Sequence, residues 1–139
     1  MDENLKELSN LYLKKAYECL DSAEFDFVGG KLNACINRSY YCIFNCMNAC
    51  IVINGFKFSK HSAVIAKFRE LFIKYQLLPV ELNDFINNLS ENRNASDYNV
   101  KFIPDNITAE ECLKSAKFFY DEVKKYLEGI LWRSKTTQI

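Results

Sequence analysis

Four glycines and two prolines are few for 139 residues. That scarcity excludes collagen-like and low-complexity chains. It also argues against a β-sandwich, which needs turn punctuation about every 8–12 residues. Excess charge of either sign is missing too, because 18 Lys and Arg cancel 18 Asp and Glu. The chain therefore lacks the general basic field behind non-specific nucleic-acid binding, and any RNA or DNA contact must come from a local patch. No stretch approaches the roughly 20 uninterrupted apolar residues of a membrane span. The opening MDENLKELSN is polar and acidic, with no apolar segment ending in a small-residue cleavage site, so a cytoplasmic location is expected.

Most enzyme signatures are missing as well. One histidine forbids HExxH and the paired Glu/ExxH sets of di-iron bundles. There is no GxxxxGK[ST] or GxGxxG phosphate loop, no nucleophile elbow and no kinase signature. Neither a metal nor a cofactor is expected.

What the chain does have is apolar material, 49% of it, enough for one core in one domain. Residues 4–28 place Leu5, Leu8, Leu11, Leu20, Ala23 and Phe27 at spacings near three and four, which predicts an amphipathic helix ended by Gly29-Gly30. A second helix, about 31–53, is apolar over more than half its circumference and so should be the central one, broken at Asn54-Gly55. A third, about 60–76, has Ser59 as its expected cap, and Pro79 fits the first turn of a fourth, about 79–92. Periodicity lapses over 93–107, which reads as the longest irregular connection and the place where function should sit. Thr108 and Glu111 form an expected capping box for a fifth helix, about 109–131. The reading is an all-α up-and-down bundle of four to five helices over residues 1–132, followed by a polar tail, 133–139.

Cys35, Cys42, Cys46 and Cys50 share one stripe of the second helix. Cβ atoms on such a stripe lie about 5–6 Å apart, too far for the roughly 3.5–4.5 Å of a disulfide. They read as small core residues.

Three polar clusters stand out. Arg38 lies in Arg38-Ser39-Tyr40-Tyr41, inside the apolar second helix, and must snorkel outward or meet a carboxylate. His61, in Lys60-His61-Ser62 at a helix start, should resist protonation there, as a packing, capping or functional group. In the third cluster, Asn92 to Tyr98, Arg93 can clamp a phosphate, Asn92 and Asn94 can hydrogen-bond, and Tyr98 can stack on a base. Equally, Arg93 and Asp97 are four apart and can pair with each other.

NRSYYCIF (37–44), KHSAVIAKFRELF (60–72), LLPVELNDFI (77–86) and RNASDY (93–98) follow one another in an order and spacing that resemble the small stand-alone prokaryotic branch of the HEPN superfamily. The likeness runs from about residue 5 to 130. It implies a helical bundle that forms a homodimer, is often paired with a minimal nucleotidyltransferase in a toxin–antitoxin arrangement, and binds RNA or nucleotide. Active members are metal-independent endoribonucleases using an Arg and, after four to six intervening residues, a His. Arg93 and Asn94 match the start of that motif, but the three positions open to the histidine hold Tyr98, Asn99 and Val100. Tyrosine, with a pKa near 10, is a poor base at pH 7, and losing acid–base help costs about 10²–10⁴-fold in rate.

The leading expectation is thus a phosphate-binding and interaction module using Arg38, Arg93, Asn94, Asp97 and Tyr98. The alternatives are a ribonuclease toxin that pairs Arg93 with His61 or Tyr98, and a purely structural dimerisation domain.

Overall fold

The computed structural model describes residues 2–137, with side chains described through Ile130. Five helices follow in order: α1 (Glu3–Val28), α2 (Leu32–Ile53), α3 (His61–Phe68), α4 (Glu81–Tyr98) and α5 (Asn106–Thr137). There is no strand among the described residues. A single π turn, Arg69–Ile73, prolongs α3. The chain is an all-α bundle, as its periodicity predicts.

Helix α2 is the axis of the bundle, packed by α1, α3, α4 and α5. Its Cys35, Ile36, Cys42, Ile43, Cys46, Met47 and Cys50 are fully buried. All six cysteines of the chain are buried free thiols. Burial drives the Cys50 and Cys46 thiols far up in pKa, and Cys112 up to about 12, so they sit in the core as apolar groups.

Against α2 lies α1, and here the inward face differs from the leucine pattern. Leu20 and Ala23 are buried as expected, but Leu11 is 56% exposed, and Ser9 and Ala16 join Ala23 inward at intervals of seven. Small residues at a helix contact shorten the interaxial distance, and α1 packs along α2. The Ser9 hydroxyl, buried there, donates to the Ala49 carbonyl at 2.8 Å. Helix α5 closes the other side with Ala116, Phe119 and Val123, and Phe119 meets Phe68 of α3 at a ring separation of 5.6 Å.

Several helix ends depart from expectation. Lys60, not Ser59, precedes α3 as its cap and makes no side-chain capping bond. Helix α4 starts two residues after Pro79. It then runs through Arg93 to Tyr98, so the segment expected to be irregular is helical and the connection shrinks to 99–105. Polar residues erased the apolar period there, but an Arg93–Asp97 pair one turn apart supports a helix without one. Asp105, rather than Thr108, caps α5, its carboxylate accepting from the Thr108 amide at 2.7 Å. That helix continues to Thr137, into the stretch read as a polar tail. Residues 138 and 139 lie outside the described residues.

Candidate functional site

Asn37, Tyr40, Tyr41 and Phe44 recur at three- and four-residue spacing, so they share one face of α2. The start of α3 and the end of α4 come to rest on that face. The result is a polar and aromatic seam on an otherwise apolar helix.

Arg93 reaches in from α4. Its Nη2 donates to the Tyr41 hydroxyl at 3.0 Å, and its Nε lies 2.9 Å from Asp97 Oδ2. The Nε–H does not point along that line, so the contact with Asp97 is an ion pair without a hydrogen bond. The guanidinium carbon lies 5.0 Å from the Tyr40 ring centre, 5.5 Å from Tyr41 and 5.8 Å from Tyr98, within cation–π range of all three. Burial works against the Arg93 charge, but Tyr41, Asp97, Tyr98 and Tyr40 outweigh it and hold its pKa upward. Neither Nε nor Nη1 makes a hydrogen bond among the described residues.

Arg38 flanks the same ring, with its guanidinium carbon 5.2 Å from the Tyr41 centre. It meets no carboxylate among the described residues. Its Nε and Nη2 instead donate to the Asn37 side-chain oxygen at 3.1 and 2.6 Å. The Asn37 amide nitrogen donates in turn to both Asp97 oxygens at 3.3 Å. One asparagine therefore links the two arginine systems.

His61 lies at the other edge of the seam. Its Nδ1 is 2.9 Å from the Tyr40 hydroxyl, and its ring stacks on Phe44 at 4.0 Å between centres. Burial first, and the Arg93 charge second, lower its pKa, so it is neutral at pH 7. Arg93 and His61 thus contact the same two tyrosines. Burial raises the Tyr40 pKa, against a smaller downward pull from Arg93.

The fold accordingly gathers Arg38, His61, Arg93, Asp97 and Tyr98 in one place. Asn94 is exposed and makes no side-chain hydrogen bond among the described residues, and Asn92 turns back to the Asn88 carbonyl at 2.9 Å. Arg93 takes up the pairing with Asp97 that the four-residue spacing allows, so its guanidinium is not free. Sequence reasoning carried Asn37, Tyr40, Tyr41 and Phe44 within the NRSYYCIF segment but did not name them as site residues; their common helical face was the signal that would have done so. Among the described residues there is no cluster of three or more His, Cys, Asp or Glu side chains able to hold a metal. Nor is any described helix long and apolar enough to cross a membrane.

These features define a class: a small all-α bundle with a guanidinium–tyrosine–imidazole seam along its central helix. The chain belongs to the HEPN family, whose HEPN domain profile matches residues 9–126. A UPF0332 protein of Thermotoga maritima is 34% identical over 119 residues, covering 84% of this chain and 89% of that one. Two proteins of Methanocaldococcus jannaschii that are provisionally named toxins are also similar. One is 31% identical, covering 88% of this chain and 82% of its own; the other is 25% identical, covering 94% and 97%.

Proposed function

We propose that this chain is a toxin-type HEPN protein that holds the phosphates of single-stranded RNA on the face formed by Arg38, Tyr41, Arg93, Asn94, Asp97 and Tyr98. The observation that carries this reading is the convergence of two guanidinium groups on one tyrosine ring. Two arginines against one aspartate leave that face with a net positive charge, in a chain whose overall charge is zero. Tyr98 is 74% exposed beside Arg93 and offers a ring on which a base can stack. The toxin names of the Methanocaldococcus jannaschii relatives support the biological setting. The family resemblance adds a homodimer and a minimal nucleotidyltransferase partner to the reading; light scattering after gel filtration and co-expression with such a partner test these. Titration of labelled single-stranded RNA at low salt tests the binding itself. Arg93→Ala should weaken it, and equal affinity, or no binding by the wild type, removes the case.

A second reading, metal-independent endoribonuclease activity, is favoured by the meeting of His61 and Arg93 on Tyr40 and Tyr41. A neutral imidazole can take a proton from a ribose 2′-hydroxyl while a guanidinium stabilises the charge developing on the phosphate. With Nδ1–H donating to the Tyr40 oxygen, Nε2 is the unprotonated nitrogen and would take that proton. Incubation with total RNA in EDTA should then give cleavage that both His61→Ala and Arg93→Ala abolish; intact RNA with the wild-type protein refutes it.

A further inference from the structure

A cleft of about 280 Å³ opens between α1 and α2 on the far side of Arg38. Lys15 comes from α1, and Arg38, Tyr41, Phe44 and Asn45 from α2, with Cys19 at the wall. Two cations and two aromatic rings line it, and no carboxylate does. Neither Lys15 nor Arg38 has an ion-pair partner among the described residues. Like charges facing one opening repel each other and concentrate positive potential until an anion enters. Arg38 is also held in place from two sides, by the Asn37 oxygen and by the Tyr41 ring. A pre-oriented guanidinium loses little freedom on binding a phosphate. The cavity lies near the small end of the volume range for organic ligands, the scale of one nucleotide unit rather than a large cofactor.

We infer that this cleft is a second nucleotide subsite, taking a phosphate between Lys15 and Arg38 with the sugar or base against Tyr41 and Phe44. The inference rests on the RNA-binding reading above and extends it. Tyr41 is shared between the cleft and the Arg93 cluster, so the two guanidinium carbons are no more than about 11 Å apart and one strand can engage both. The same chemistry would accept a free mononucleotide.

Binding of three probes separates the cases: inorganic phosphate, 5′-AMP and a short single-stranded oligoadenylate, each titrated at several salt concentrations. Lys15 is exposed and unpaired, so Lys15→Ala leaves the packing intact, and Arg38→Ala is checked by circular dichroism. Each substitution should weaken oligoadenylate binding about five- to tenfold and reduce the slope of log affinity against log salt by about 0.7. Binding of 5′-AMP with the same Lys15 dependence identifies a free nucleotide as an occupant, whereas dependence confined to oligoadenylate identifies a strand. Unchanged affinity and slope for both variants overturn the subsite. If Arg93→Ala still weakens the oligoadenylate in that case, the subsite and Arg38's share of the RNA face fall while the Arg93 site stands; if it does not, the RNA-binding reading falls as a whole.

Discussion

Asp97→Asn is the substitution that separates a phosphate grip from a structural pin. It is nearly isosteric, keeps an oxygen for the Asn37 amide, and removes the charge 2.9 Å from Arg93 Nε. An exposed pair one helical turn apart contributes about 0.3–0.5 kcal/mol, and breaking a buried pair costs about 3–5 kcal/mol. The Arg93 and Asp97 side chains are 17% and 25% exposed, between those limits. We expect a loss of about 1–2 kcal/mol, or about 3–7 °C in Tm for a chain of this size. Arg93 should stay in place, because the Tyr41 hydroxyl and three aromatic rings still hold it. A bound phosphate would then no longer face a carboxylate, taken as a unit charge at about 7 Å. At an effective dielectric constant of about 40 that repulsion is about 1.2 kcal/mol, so RNA should bind about five- to tenfold more tightly. Thermal melts and fluorescence anisotropy with a labelled single strand at low salt measure the two effects on the same protein. Lower stability together with tighter binding supports the grip. Lower stability together with weaker binding refutes it and makes Asp97 the pin that orients Arg93.

Three further outcomes are expected. Phe119→Ala empties the contact with Phe68 at a fully buried position and should cost about 3–5 kcal/mol in urea unfolding. Ala16→Leu forces extra volume into the small-residue seam between α1 and α2 and should destabilise by about 1–3 kcal/mol, while the same change at exposed Lys15 should not. His61 has a lowered folded pKa, so the unfolded chain takes up its proton first as pH falls. Its contribution to stability is present above the unfolded value of about 6.5 and is lost as pH drops from there through the folded value. Urea midpoints across that interval should slope upward with pH in the wild type and flatten in His61→Gln. As the chain's single histidine, it can be titrated directly by NMR.

The helices that periodicity makes legible are those with a long apolar stripe, α2 and α5 above all. Leu20 and Ala23 of the expected α1 stripe are buried, but Leu11 misled because Ser9 and Ala16 turn inward instead, and a hydrophobicity pattern underrates small residues that permit close approach. Arg93 to Tyr98 read as loop because the stripe stops there, although an ion pair and a solvated face suffice to continue a helix. Ser59 and Thr108 have the chemistry of caps, but the chain reaches its first helical turn beside Lys60 and Asp105. The candidate arginines were visible as charges in unusual places. Their partners were not: only the packing of α3 and α4 across α2 brings His61 and Arg93 onto Tyr40 and Tyr41, and no local spacing encodes that.

With all six thiols buried, Cys19 at the cleft wall only 7% exposed, the folded protein offers little purchase to maleimide chemistry. One cysteine introduced at Val100, 99% exposed and two residues past Tyr98, would accept a fluorophore or spin label by itself. Ligand arrival is then watched from a reporter beside the seam, with the endogenous thiols left untouched.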